Sequence, residues 1–206
     1  MTTYTIKPNE LEAISLASST EETRYYMRGV CVEVYADGTT GLIAIDGHRM
    51  ASVRAKKEEQ PVTSFIIESA DIKKALQLAK AAIKESKTLA ALVSIFLTLE
   101  DNCLKVVVGW ADKETGELFR ESGQFTSKPV GCTFPDWRCI IPTSKTGDLE
   151  TSFNASYMAD FGKMAKLLSG TAVQQIVMRN TGAGNPMIVT MPYACEFFGV
   201  LMPMRA

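Results

Sequence analysis

Lys73, Lys80, Lys84 and Lys87 recur at spacings of seven, four and three, with Gln77 filling the gap, so they share one face of a helix. Ile72, Leu76, Ala79 and Ile83 form the opposite, apolar face. A row of ammonium groups suits the phosphates of a duplex backbone, held without reading bases and less tightly as salt rises. It equally suits the solvated side of an amphipathic helix, since lysine stems readily cover apolar surface. The only histidine, His48, stands two residues from Asp46. In an extended strand the two share a face and could pose as an acid–base pair. No nucleophile or metal-ligand motif accompanies them, and Asp46-Gly47 reads better as turn chemistry. With no phosphate-binding glycine loop either, neither catalysis nor a cofactor is implied.

The elements that must position these groups repeat three times, with a period of about 60 to 70 residues. Each stretch reads as a strand, a helix and three further strands. In the first, Thr3–Ile6 is strand-like, Pro8-Asn9 starts a helix through Ser18, and Val30, Val32 and Val34 alternate as a half-buried strand should. Asp37-Gly38 and Asp46-Gly47 turn the chain into strands at Gly41–Ile45 and His48–Ala55. The second repeats the order with Ser64–Ile67, a helix over Ala70–Ser86, and strands near Leu92–Leu99, Cys103–Trp110 and Leu118–Thr126. Asp101-Asn102 and Glu114-Thr115-Gly116 supply its turns. The third runs through Glu150–Asn154, a helix over Ser156–Leu168, and strands near Val173–Arg179, Met187–Met191 and Glu196–Met202.

Composition bounds what such a chain does. Its 206 residues, 46% of them apolar, can bury a real core in one large or two small domains. A net charge of −1 gives no global pull toward nucleic acid, so any contact must come from a local patch. Five cysteines, an odd number without close metal-ligand pairing, beside one histidine argue for free thiols in a reducing cytoplasm and against a zinc site. No charged-then-apolar leader precedes the first polar residues, and no apolar run approaches the ~18 residues that span a bilayer. A soluble, cytoplasmic protein without membrane contact is expected.

Five separated segments add a resemblance: Thr23-Arg24-Tyr25-Tyr26-Met27, Ile45–Met50, Phe134–Pro142, Phe153-Asn154-Ala155-Ser156-Tyr157 and Val200–Arg205. In this order they resemble the middle and end of the bacterial DNA polymerase III beta subunit, the sliding clamp. The resemblance implies a DNA-clamp fold, an α+β architecture of β-α-β-β-β units with helices on one face of antiparallel sheets. Family members carry three domains of two units each, whereas this chain carries three units. Residues 1–143 then correspond to one complete domain and residues 144–206 to half of another, which would pair with the same unit of a second chain. Four such chains would supply the twelve units of a family ring, so a tetrameric homo-oligomer is favoured.

The resemblance also implies a peptide-binding site at Met27, Gly47, His48, Arg49, Met50, Pro135, Ile140, Asn154, Tyr157, Val200, Leu201, Met202, Pro203, Met204 and Arg205. Methionines and aliphatic residues would make adaptable walls, while His48, Arg49, Asn154 and Arg205 would orient the peptide's amides and chain end. Taken alone, Val200–Met204 reads as a last core strand ending at a proline. Cys139 stands where the family usually has arginine. DNA contacts are implied for Arg24, Tyr25 and Tyr26, together with Lys73, Lys80, Lys84, Lys87, Lys163 and Lys166. Tyr25 and Tyr26 fit ordinary strand packing equally well. Glu10, Glu12, Glu21 and Glu22 make the first helix and its exit acidic, a departure from a uniformly basic lining. The expected function is a processivity factor that encircles duplex DNA and tethers a DNA polymerase, or other proteins with clamp-binding peptides, and that a clamp loader could serve. The alternative is a clamp-like peptide-binding regulator that never closes on DNA.

Overall fold

By Val34 the chain of this computed structural model has contributed strands to two different sheets. The structure describes residues 3–141, 152–170, 174–179, 182, 184–193 and 196–204. The first unit holds β1 (Thr3–Ile6), α1 (Pro8–Ser15), β2 (Gly29–Val34), β3 (Thr40–Ile45) and β4 (Arg49–Val53). The second holds β5 (Thr63–Glu68), α2 (Ser69–Glu85), β6 (Val93–Glu100), β7 (Cys103–Ala111) and β8 (Leu118–Ser127). The third holds α3 (Ala155–Ser169), β9 (Val177–Arg179), β10 (Met187–Thr190) and β11 (Phe197–Leu201).

Local chemistry explains most of these boundaries. Pro8 opens α1, where its missing N–H is harmless, and Glu10 reaches back to accept the Lys7 N–H at 3.4 Å. The helix stops at Ser15 rather than Ser18, because Leu16, Ala17 and Ser18 tighten into i→i−3 turns. Asp101 and Asn102 both take positive φ, 47° and 60°, as a two-residue hairpin turn requires. Asn154 caps α3 by accepting the Ser156 N–H at 2.9 Å. That role, and a hydrogen bond from the Met204 N–H to the Ser152 carbonyl at 2.8 Å, replace the expected strand over Glu150–Asn154 at residues 152–154. Residues 150–151 and 173, where expected strands begin, lie outside the described residues.

The opening strands of the first two units change places. β1 pairs with β6 (Ile6 opposite Ile95) and β5 pairs with β2 (Cys31 opposite Ile66), giving sheets ordered β1-β6-β7-β8 and β5-β2-β3-β4-β11-β10-β9. Every pairing is antiparallel. The third unit extends the second of these sheets through β4 and β11, with Val53 opposite Phe197 and Arg49 opposite Leu201. Phe161 of α3 seals this seam: a Cβ at Gly199 would lie 2.6 Å from its ring, so only glycine admits the helix this close. α1 packs against both α2 and α3, so the three helices share one layer over the main core.

Two expectations are corrected here. β2 is buried along its whole length, not half-buried. Val30 and Val32 face the helix layer, whereas Cys31 belongs to a second core with Ile43, Ile45, Met50, Trp137 and Ile141 on the opposite face. That face is covered because the segment before residue 141 folds back over it. Buried Glu33 anchors the segment, accepting the Trp137 indole N–H at 3.0 Å and both Arg138 Nη groups at 3.0 and 2.9 Å. Burial, followed by Glu33, pushes the Cys31 thiol far above its ordinary pKa. The second correction concerns α2, whose buried positions include Ala82 while Ile83 is exposed. The buried arc is centred on Ala75, Ala79 and Ala82, which leaves Ile83 at its edge in the last turn of the helix.

Candidate functional site

The turn before β4 is closed by a single carboxylate. Asp46 Oδ1 accepts the backbone N–H groups of His48 and Arg49, each at 2.9 Å, and Oδ2 accepts Arg49 Nε at 3.0 Å. Both carboxylate oxygens are thereby occupied by turn and ion-pair contacts rather than by the imidazole. Gly47 has φ +88°, and a Cβ there would come within 2.4 Å of Arg24 Nη1. Arg24 fills that space, donating to the Asp46 carbonyl at 3.1 Å while pairing with Glu21 at 3.0 Å. Opposite the turn, Tyr157 in the first turn of α3 stacks on His48 with centroids 5.7 Å apart, and the Arg49 guanidinium lies 4.6 Å from the Tyr157 ring centroid. The chain end supplies the third wall: the Met202 N–H donates to the His48 carbonyl at 2.8 Å, and Pro203 and Met204 follow. Gly47, His48, Asn154, Tyr157, Met202, Pro203 and Met204 together line a cavity of about 480 Å³. It has an aromatic and thioether interior with an amide and an imidazole at its edge, the make-up of a site for a short amphipathic ligand.

The helix layer presents the second feature. Lys73, Lys80 and Lys84 are exposed on one face of α2, as are Lys163 and Lys166 on α3; Lys87 is exposed too, but α2 ends at Glu85 and Ser86 is extended, so Lys87 opens a separate 3₁₀ turn instead of continuing the helical row. Lys80 pairs with Glu12 at 2.8 Å and Lys163 with Asp160 at 2.6 Å. Lys73, Lys84, Lys87 and Lys166 have no ion pair among the described residues, so their charge is open to solvent. Tyr25 and Tyr26 lie in a 3₁₀ turn, Glu22–Met27, rather than in a strand. Tyr25 is 57% exposed and meets Tyr26 edge-on at 5.7 Å, while Tyr26 leans on the second core.

No family profile matches the sequence. Two curated proteins from Pseudomonas putida, each named beta sliding clamp, are 30% identical over 142 residues, which is 67% of this chain and 32% of theirs. The DNA polymerase sliding clamp of Caulobacter crescentus superposes on all of this chain with a TM-score of 0.69 at 21% identity. That of Pseudomonas aeruginosa covers 99% with a TM-score of 0.68 at 17% identity. The chain is a relative of the bacterial beta sliding clamps. It has their α+β fold of antiparallel sheets backed by helices, and it spans 32% of the length of the curated relatives and 66% of each of these two solved clamps.

In this sliding-clamp relative seven of the residues assigned to peptide binding line this one cavity, Arg49 braces it from behind Tyr157, and the other described ones lie in the cores or along a separate cavity. Met27, Met50 and Val200 are enclosed in the second core, and Leu201 in the main core. Arg49 is buried, with its guanidinium committed to Asp46 and Asp160. Pro135 lines a separate cavity of about 340 Å³ with Cys31, Glu33 and Trp137, and Ile140 packs on the rim of the second core. Arg205 lies outside the described residues. Cys139 is exposed and donates its thiol proton to Asp136 at 3.1 Å, a contact that raises the thiol's pKa.

Sequence reasoning missed Asp160, the partner that ties Arg49 to α3. Partial burial raises its pKa, but hydrogen bonds from Lys163 and Arg49 outweigh this and hold it below the ordinary carboxylate value. It missed Glu33 too. A carboxylate flanked by valines in an apolar strand signals a buried partner, though nothing local names Trp137 and Arg138, more than a hundred residues away.

Proposed function

We propose that this sliding-clamp relative is a non-enzymatic processivity factor: a cytoplasmic homo-oligomer that surrounds duplex DNA and tethers a polymerase through the cavity at His48, Tyr157 and Met204. The observation that carries the reading is the convergence of three distant segments, at residues 47–48, 154–157 and 202–204, on one cavity. An apolar groove with a few polar groups suits an extended peptide whose bulky side chains enter while its amides are held at the edge. The guest is a short segment with a glutamine and bulky apolar residues, carried by a polymerase or a clamp loader. The four unpaired lysines of the helix layer support backbone contact with duplex DNA.

In this reading residues 1–143 are a complete clamp domain and residues 144–206 half of one. The half completes itself against the same unit of another chain about a two-fold axis, so four chains close a ring. β9, the edge strand of its sheet among the described residues, exposes Val177 and Met178, which supports such pairing. A second reading, a peptide-binding regulator that does not encircle DNA, gains support from the neutralisation of Lys80 by Glu12 and of Lys163 by Asp160. Light scattering across a concentration series, combined with retention on circular against linearised duplex, separates the two. A species near four chains that stays only on the circle supports the ring. A monomer or dimer that binds a clamp-binding peptide supports the regulator.

A further inference from the structure

The repeat leaves one strand without a counterpart. β4, β8 and β11 are the last strands of the three units. Two of them meet: β4 and β11 pair antiparallel, from Arg49 opposite Leu201 to Val53 opposite Phe197, and join the first and third units into one sheet. β8 ends the other sheet, and among the described residues no strand pairs with its outer edge. Such an edge, with its row of unpaired N–H and carbonyl groups, is a template for another chain.

β8 is built for a partner in the way that β11 is. Leu78 of α2 packs close beneath Gly123, where a Cβ would lie 2.9 Å from its Cδ2, as Phe161 of α3 packs beneath Gly199 at the β4–β11 seam. The two irregularities in the ladder with β7, at Val108/Gly109 and Trp110/Ala111, fall in the first half of β8. From Gly123 to Ser127 the strand runs in unbroken register with Val108 to Leu104, a stretch of five residues like the one β4 offers β11. Side chains alternate along it. Phe125 packs on the main core and the Ser127 hydroxyl donates to Asp71 of α2, whereas Gln124 and Thr126 are exposed on the outer face. The stretch holds no charged residue and no proline, the usual guards of a lone edge. Leu118 and Phe119, at the start of the same strand, add exposed apolar surface.

We propose that β8 pairs antiparallel, over Gly123–Ser127, with β8 of a second copy of this chain about a two-fold axis. The occupant is a second β8 because the other last strands, β4 and β11, already hold each other. In a ladder centred on Phe125, Gln124 faces the partner's Thr126, two side chains that hydrogen-bond across strands. The proposal rests on the ring reading above: pairing of third units joins chains two by two, and β8 joins the pairs, supplying the second kind of interface that four chains need to close.

The test is a charge swap in the full chain. One variant carries Gln124→Lys with Thr126→Lys, the other Gln124→Glu with Thr126→Glu; both positions are exposed, so the fold survives. Light scattering finds four chains in the wild type and two in either variant alone, because like charges meet across the axis, and four again in an equimolar mixture, where lysines meet glutamates. Four chains retained in either variant, or no recovery in the mixture, overturns the β8 seam and leaves the ring reading standing on the four-chain wild type. A wild type of two chains overturns the ring. The seam then holds only if each variant falls to a monomer and the mixture re-forms the pair, and is overturned otherwise. A monomeric wild type overturns both.

Discussion

Arg49→Ala tests whether this arginine braces the site or contacts its guest. Its side chain is 9% exposed, and its partners Asp46 and Asp160 are 11% and 18% exposed, so truncation leaves two largely buried carboxylates without their shared cation. Removing one partner of a buried pair costs about 3–5 kcal/mol. Asp160 keeps Lys163, and Asp46 keeps two backbone N–H donors, so the lower end, about 3 kcal/mol, is expected. For a chain of this size that corresponds to a fall in Tm of roughly 6–12 °C. Thermal and urea melts at neutral pH measure it directly. Asp160→Ala combined with Arg49→Ala should cost clearly less than the sum of the single changes, since both remove the same contact. The pH dependence has a defined sign. Asp160 has a folded pKa below its unfolded value, so its contribution is complete above the ordinary aspartate value of about 3.9 and is lost as pH falls through the lower folded value. The difference between wild type and Arg49→Ala therefore shrinks in acid. A variant that melts like the wild type but no longer binds a clamp-binding peptide would refute the structural assignment and make Arg49 a direct contact.

Three further changes probe separate parts of the molecule. Trp137→Ala removes a ring that is 2% exposed and unseats the returning segment from Glu33, so a loss of about 3–5 kcal/mol is expected in denaturant melts, and a loss under 1 kcal/mol would show that the segment is held by Arg138 alone. Pro203→Ala with Met204→Ala leaves stability within about 0.5 kcal/mol, since Met204 is 54% exposed, yet weakens binding of a fluorescent clamp-binding peptide at least tenfold; undiminished affinity removes the cavity from the function. Glu at Lys73, Lys80 and Lys84 together sharply lowers duplex affinity at low salt without changing peptide affinity. Lys80→Glu also faces Glu12 across the α1–α2 groove, so an equal retention of duplex by this variant would make the lysine row merely a solvated face.

Element identity was legible in the sequence because the signals that set it act over a few residues. Thr3–Ile6 became β1, the Asp101-Asn102 turn took its positive φ values, and Asn154 became a helix cap, each decided by neighbours within one or two turns of chain. The lysine row was legible for the same reason, since a helical period projects sequence spacing onto a surface. Residues 47–48, 154–157 and 202–204 could be grouped only through the family resemblance, because no local signal relates a turn, a helix start and a chain end.

What tertiary structure alone decided was which surfaces met. β1 and β5 could each have paired within their own units; instead they exchanged, joining Ile6 to Ile95 and Cys31 to Ile66. β2 reads as a half-buried strand by alternation, and it is wholly buried because Trp137 and Arg138 return to cover its other face. Arg49 reads as a polar rim residue, and its environment instead came from Asp160 on a helix over a hundred residues later. Periodicity specifies that a face must be apolar or charged, but it carries no information about the partner. That choice is made by burial and charge pairing summed over contacts distant in sequence, and these exist only once the chain has folded.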